Sequence, residues 1–134
     1  MHTIRLRGPW EYQVLSDLAR GDALSDENLS SGRVKTPLDW RATHGAKVQG
    51  QIRYVRNFNC PTGLTDSTVV RLCVGPSEQL AEIKLNGQAI ANRPTENGIA
   101  VREWLTPANR LEITVQLPVD FELLLENVRL EIDD

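Results

Sequence analysis

The side chains here with the most chemical reach are one arginine, three tryptophans and two histidines, and none falls in a catalytic pattern. Arg56 stands two residues after Tyr54 and two before Phe58. By strand alternation the three share a face, and the apolar neighbours make it a core face. A guanidinium placed there needs a carboxylate, because an unpaired buried charge is very costly. Glu103 and Glu11 are the candidates, and the expected role is a buried ion pair that fixes the sheets. Trp10 falls in register with Tyr12 and Val14 and belongs to the core. Trp40 follows Pro37 at the start of a polar loop with Arg41 and His44, where packing and exposure both stay open. Trp104 faces one way in a strand and another in a helical turn. A carbohydrate site needs an aromatic face for the C–H side of a sugar ring and amide, acid or guanidinium groups for its hydroxyls. Trp40, His44, Asn92, Arg93, Asn97 and Trp104 are the residues that can supply both. His44, taken alone in a Gly-flanked polar loop, reads as solvated surface.

Other chemistries find little support. His2 and His44 do not make a zinc site, and no Cys or carboxylate spacing completes one. Cys73 lies in the apolar run VVRLCV and reads as a small buried hydrophobe, while Cys60 before Pro61 reads as a free thiol. Glu78, Glu82 and Glu112 are explained as the wet faces of strands. No phosphate loop, nucleophile elbow or Ser/His/Asp arrangement is present, and no cofactor or metal is expected. The formal net charge of −3 and the absence of a basic run argue against nucleic acid or an anionic membrane as partner. MHTIRLRGPW enters strand-like sequence without a charged-then-apolar leader, and no window reaches a membrane span. The expectation is a cytoplasmic chain.

These residues need elements to position them. At 134 residues the chain is expected to be one domain, 1–134, with a sizeable core. Thr3 to Arg7 and Trp10 to Leu15 alternate as strands. Ser16 to Ser31 is polar, with room for a helical turn at Asp17 to Arg20. Gly32 to Trp40 is a short extended piece, and Arg41 to Gly50 reads as loop. From Gln51 to Ile90 come three strands in a row, with Val70, Leu72 and Val74 on one face of the second and Ala81, Ile83 and Leu85 on one face of the third. Asn86-Gly87 is a two-residue hairpin turn. Asn92 to Gly98 is a polar loop, and Arg102 to Leu105 permits one helical turn. Arg110 to Leu117 is the cleanest strand, with Leu111, Ile113, Val115 and Leu117 inward. Phe121 to Ile132 is a final strand or bent pair. Eight or nine short strands with almost no helix predict an all-β jelly-roll sandwich.

The order of these pieces resembles the N-terminal sugar-binding domain of family 2 glycoside hydrolases. An early Trp-containing strand (LRGPWEYQVL) is followed by an edge segment with Pro and Trp (VKTPLDW). Next come Tyr54, Arg56, Phe58 and Pro61 as Tyr-x-Arg-x-Phe then Pro, and Leu85, Asn86 and Gly87 as Leu-Asn-Gly. Leu105, Pro107, Asn109 and Leu111 lead into the last inner strand. The resemblance covers nearly the whole chain and implies a galactose-binding-like jelly roll. In that family the catalytic carboxylates lie in a separate barrel domain, so it implies a non-catalytic module here, with catalysis supplied by another chain. Where the family has a His, a double Gly and an aromatic after Leu-Asn-Gly, this chain has NRPTENGIAVREW. Calcium is common in this fold, but no Asp/Asn cluster here makes a cage. Three functions stay open: a carbohydrate-binding module; a structural or interaction domain that kept the fold and serves a protein partner or a homo-oligomer; and, last, a small enzyme with a site that no motif reveals.

Overall fold

Leu111, Ile113, Val115 and Leu117 are all at most 1% exposed, and the residues between them are not buried, as period-two alternation requires. They belong to the central strand of a computed structural model that describes residues 2–16, 31–35, 38–44, 49–74, 80–90, 98–117, 123–125 and 128–133. Among the described residues the strands are β1 (His2–Arg5), β2 (Trp10–Val14), β3 (Ser31–Val34), β4 (Leu38–Asp39), β5 (Gly50–Asn59) and β6 (Val69–Cys73). They continue with β7 (Leu80–Leu85), β8 (Gln88–Ala89), β9 (Ile99–Ala100), β10 (Ala108–Leu117), β11 (Leu123–Leu124) and β12 (Arg129–Asp133). Eight of the twelve have four residues or more, and the others are two-residue pairings.

A six-stranded sheet runs β3-β2-β5-β10-β7-β8, a four-stranded sheet runs β1-β12-β6-β9, and β11 pairs with β4. All pairings are antiparallel. The ladder of β10 with β5 is unbroken from Ala108↔Asn59 to Leu117↔Gly50. Ile52, Tyr54, Ile83, Leu85 and the inward face of β10 meet Val70, Leu72 and Leu130 of the smaller sheet in one buried cluster. The structure is thus the all-β sandwich that the strand pattern predicts. Its layering is less obvious: β5 and β7 flank β10 in one sheet, while β6, between them in sequence, crosses to the other.

Turn chemistry follows the sequence closely. Asn86 and Gly87 both take positive φ, 53° and 83°, as a two-residue primed turn requires, and β8 returns to pair Lys84↔Ala89. At Gly50 a Cβ would lie 2.0 Å from the Ser16 carbonyl oxygen, so only glycine lets β5 start there. Ile99 to Leu105 resolves into β9 and a 3-10 turn, Arg102–Trp104. One element departs from the expected loop over Arg41 to Gly50: a helix, α1 (Trp40–His44), begins there. Asp39 is its cap, with Oδ1 accepting from the Arg41 and Ala42 N–H groups at 3.1 Å each. Five residues are too few to show a helical period, so only the Asp betrays it. The helical turn expected at Asp17 to Arg20 lies outside the described residues.

The two asparagines of the Leu-Asn-Gly and Pro-x-Asn pieces lock together. Asn86 Nδ2 donates to Asn109 Oδ1 at 2.9 Å and to the Trp104 carbonyl at 2.8 Å, and Asn86 Oδ1 accepts from the Arg110 N–H at 2.8 Å. Asn109, 3% exposed, accepts from the Thr106 N–H and donates to the Thr106 carbonyl, both at 2.8 Å. Asn109→Ala would leave the Thr106 N–H and one Asn86 bond unmade in a nearly dry site. We expect a loss of about 2–4 kcal/mol in urea unfolding with an unchanged m-value, against roughly 0.5 kcal/mol or less for the exposed Gln116→Ala.

Candidate functional groove

The inward face of β5 changes character along its length. Ile52 and Tyr54 are fully buried, whereas Arg56 and Phe58 are only partly so. There the strand runs out past the smaller sheet, and a groove of about 510 Å³ opens between β1 and the ends of β5 and β10. Ile4, Leu6 and Phe58 give it an apolar floor, and Leu6 is buried. Arg56, Asn57 and Asn59 from β5 and Arg5 and Arg110 from the flanking strands bring polar groups to its lining. Asn86 and Asn109 also line it, but their amides are spent on the lock described above. A second hollow of about 420 Å³, bordered by His2, Pro61, Thr62, Gly63, Leu64 and Ile132, shares Ile4 with the first.

Arg56 does not form the expected buried ion pair. Its Nε donates to the Arg7 carbonyl at 2.8 Å and its Nη1 to the carbonyl of Asn57. Glu103 is exposed, and Glu11 is exposed beside Arg33 at 3.9 Å. The alternation that puts Arg56 on the core face holds, but the facing layer ends before it, so water reaches the guanidinium and no counter-charge is required.

The other expected site residues lie elsewhere. Trp40 is 1% exposed, packed into the core at the start of α1, with the Arg41 guanidinium 4.8 Å from its ring centre. Its face is not open to a sugar. His44 is half-buried rather than solvated: its ring meets Tyr12 edge-on at 4.8 Å, and Nε2 sits 2.9 Å from the Tyr54 hydroxyl. Trp104 is half-buried on the 3-10 turn and packs against the core. Asn92, Arg93 and Asn97 lie outside the described residues. None of Trp40, His44 and Trp104 lines the groove. Among the described residues no group of three or more His, Cys, Asp or Glu could hold a metal ion, and no helix is long and apolar enough to cross a membrane.

No protein-family model matches this chain, and no curated protein matches it. Solved structures do. An FMN-binding beta-glucuronidase from Faecalibacterium prausnitzii L2-6 superposes with a TM-score of 0.67 at 21% identity, over 98% of this chain and 22% of its own. A rhamnosidase from Novosphingobium sp. PP1Y gives 0.65 at 18% identity, over 99% of this chain and 15% of its own. A Faecalibacterium prausnitzii beta-glucuronidase gives 0.60 at 21% identity, over 86% and 21%. The chain has the fold of one domain of these glycoside hydrolases. It spans about a fifth of their length or less.

In this glycoside hydrolase domain fold the groove residues were visible in sequence mainly as scaffold. The one available signal was Arg56 itself: a charge on a core-facing alternation, near the end of a strand and just before Asn57, Asn59 and Pro61. Such a charge marks either a buried pair or the place where the core stops. Cys60 and Cys73 are both free thiols, and burial pushes the Cys73 thiol up.

Two measurements check this geometry. Because its partners are carbonyls at the rim, Arg56→Ala should cost about 1–2 kcal/mol in urea unfolding, not the roughly 3–5 of a broken buried pair. Burial lowers His44 from its ordinary 6.5 to about 4, so between those values the unfolded chain binds more protons than the folded one. Its contribution is therefore full above about pH 6.5 and lost as the pH falls toward 4. Urea midpoints across that range should fall with pH, and His44→Gln should flatten the slope.

Proposed function

We propose that this chain is a non-catalytic carbohydrate-binding module that takes a saccharide in the groove between β1 and the ends of β5 and β10. The observation that carries the reading is the groove itself. It sets an apolar floor with one half-exposed aromatic, Phe58, beside Arg56, Asn57 and Asn59, in a fold shared with domains of glycoside hydrolases. Sugar rings pair an apolar C–H face with a rim of hydroxyls, and sites that hold them combine aromatic surface with a few placed amides and guanidinium groups. Cleaving a glycosidic bond takes two carboxyl groups flanking it, and among the described residues none lines the groove. Any hydrolysis would belong to another chain or domain.

The described surface favours a polar ligand over a protein face. Among its large hydrophobic residues only Val69 is well exposed, at 37%, and protein-docking patches are usually contiguous and apolar. Trp10 and Trp40 are buried, so tryptophan fluorescence is a poor reporter. Amide chemical shifts in a titration with mono- and oligosaccharides are the better assay. We expect shifts confined to Ile4–Leu6, Arg56–Asn59 and Ala108–Arg110, and Phe58→Ala should weaken binding by roughly tenfold, about 1.4 kcal/mol. A flat titration to millimolar sugar across the panel would overturn the reading.

A further inference from the structure

Arg56 is positioned in a way that the fold alone does not require. Its guanidinium is half-buried, held by two backbone carbonyls, and among the described residues it has no carboxylate. The carbonyls of Arg7 and Asn57 orient the group without neutralising it. They engage Nε and one N–H of Nη1, which leaves Nη2 and the second N–H of Nη1 as donors. Solvent and the carbonyl dipoles keep the guanidinium charged at the groove, and no acid among the described residues competes for it.

Among the described residues the groove lining holds Arg5, Arg56 and Arg110 and no Asp or Glu, although acidic residues outnumber basic ones in the chain, 18 to 15. Arg110 is partly engaged, with Nε donating to Glu112 Oε1 at 3.0 Å. Arg5 stands directly opposite Arg129 in the β1–β12 ladder, a like-charge placement that costs stability. Arg129 has Glu131 at 3.1 Å, and Arg5 has no ion pair among the described residues. Arg5 and Arg110 alternate with inward-facing Ile4 and Leu111 and so stand at the edges of the groove, while Arg56 shares the inward face with Phe58.

We infer that the groove selects a saccharide bearing a carboxylate, a uronic acid unit, and that Arg56 is the residue that reads the carboxylate. The inference rests on the reading of the groove as a saccharide site. A planar guanidinium fork matches a planar carboxylate in two parallel hydrogen bonds. Phe58, on the same face of β5 as Arg56, takes the ring. A neutral sugar would leave the cation unanswered.

The test is calorimetric titration of the chain with an oligogalacturonide trimer, its carboxyl-reduced neutral counterpart, and a sulfated neutral trimer. The acidic trimer should bind at least about tenfold more tightly than the neutral one. That preference should shrink between 0.15 M and 1 M salt, as the screening length falls from about 8 to about 3 Å. Arg56→Gln should bring the acidic trimer down to the affinity of the neutral one, and Arg56→Lys should keep only part of the preference. Equal binding of acidic and neutral trimers overturns the inference and leaves the saccharide reading intact. Binding of the sulfated trimer as tightly as the acidic one overturns the carboxylate assignment. No binding of any trimer overturns both. Circular dichroism shows whether each variant is folded, and the wild-type comparison decides the question if one is not.

Discussion

The interlocked amides of Asn86 and Asn109 are the joint on which the rest of the sandwich depends. Asn109 sits almost dry at the start of β10, and its side chain closes a local loop onto Thr106 while receiving the Asn86 amide. Through Asn86 the same joint holds the β7–β8 turn and the carbonyl of Trp104. A third contact, Asn109 Nδ2 to the Phe58 carbonyl at 3.4 Å, reaches across to β5. Buried polar groups must be satisfied completely or they cost more than an apolar replacement, and here each amide has its partners. The result is a fixed starting register for β10, and from it the inward set Leu111, Ile113, Val115 and Leu117 follows.

The groove is a consequence of unequal layers. β5 and β10 are ten residues each, roughly 33 Å long, while β1 in the facing sheet has four, roughly 13 Å. The long strands therefore outrun their cover. Inward-facing residues near the middle, such as Ile52 and Tyr54, are sealed; the ones at the end, Arg56 and Phe58, meet water. The same alternation builds a core at one place and lines an open groove a few residues later.

Two polar groups on or beside β5 show how differently burial acts on charge. His44 packs against Tyr12 and Tyr54 and is driven to its neutral form, because burial strips hydration from the charged form. The same burial raises Tyr54, with Tyr12 adding to it, so the hydroxyl stays protonated beside the imidazole. Arg56 stays at the wet end of the strand, where carbonyl dipoles and solvent suffice. Distance from the edge of the core separates a group forced neutral by burial from one that keeps its charge in solvent.

Much of the fold could be read from the chain. The alternation of β10, the Asn86-Gly87 turn, the core faces of Val70, Leu72 and Val74, and the burial of Trp10, whose indole N–H finds the Leu6 carbonyl at 2.9 Å, are local patterns with local causes. Trp40 was not legible, because its burial depends on a short Asp39-capped helix turning it under the sheets. Nor was the setting of Arg56, since periodicity says which face a residue takes but not how far the opposite layer extends. The sequence by itself determined the strands, their inward faces and the turns, which are matters of neighbouring residues. Tertiary structure alone decided that β6 leaves its sequence neighbours for the other sheet, and where the smaller sheet ends. It thereby also decided which inward-facing residues are core and which are groove, because exposure is set by what packs opposite a residue.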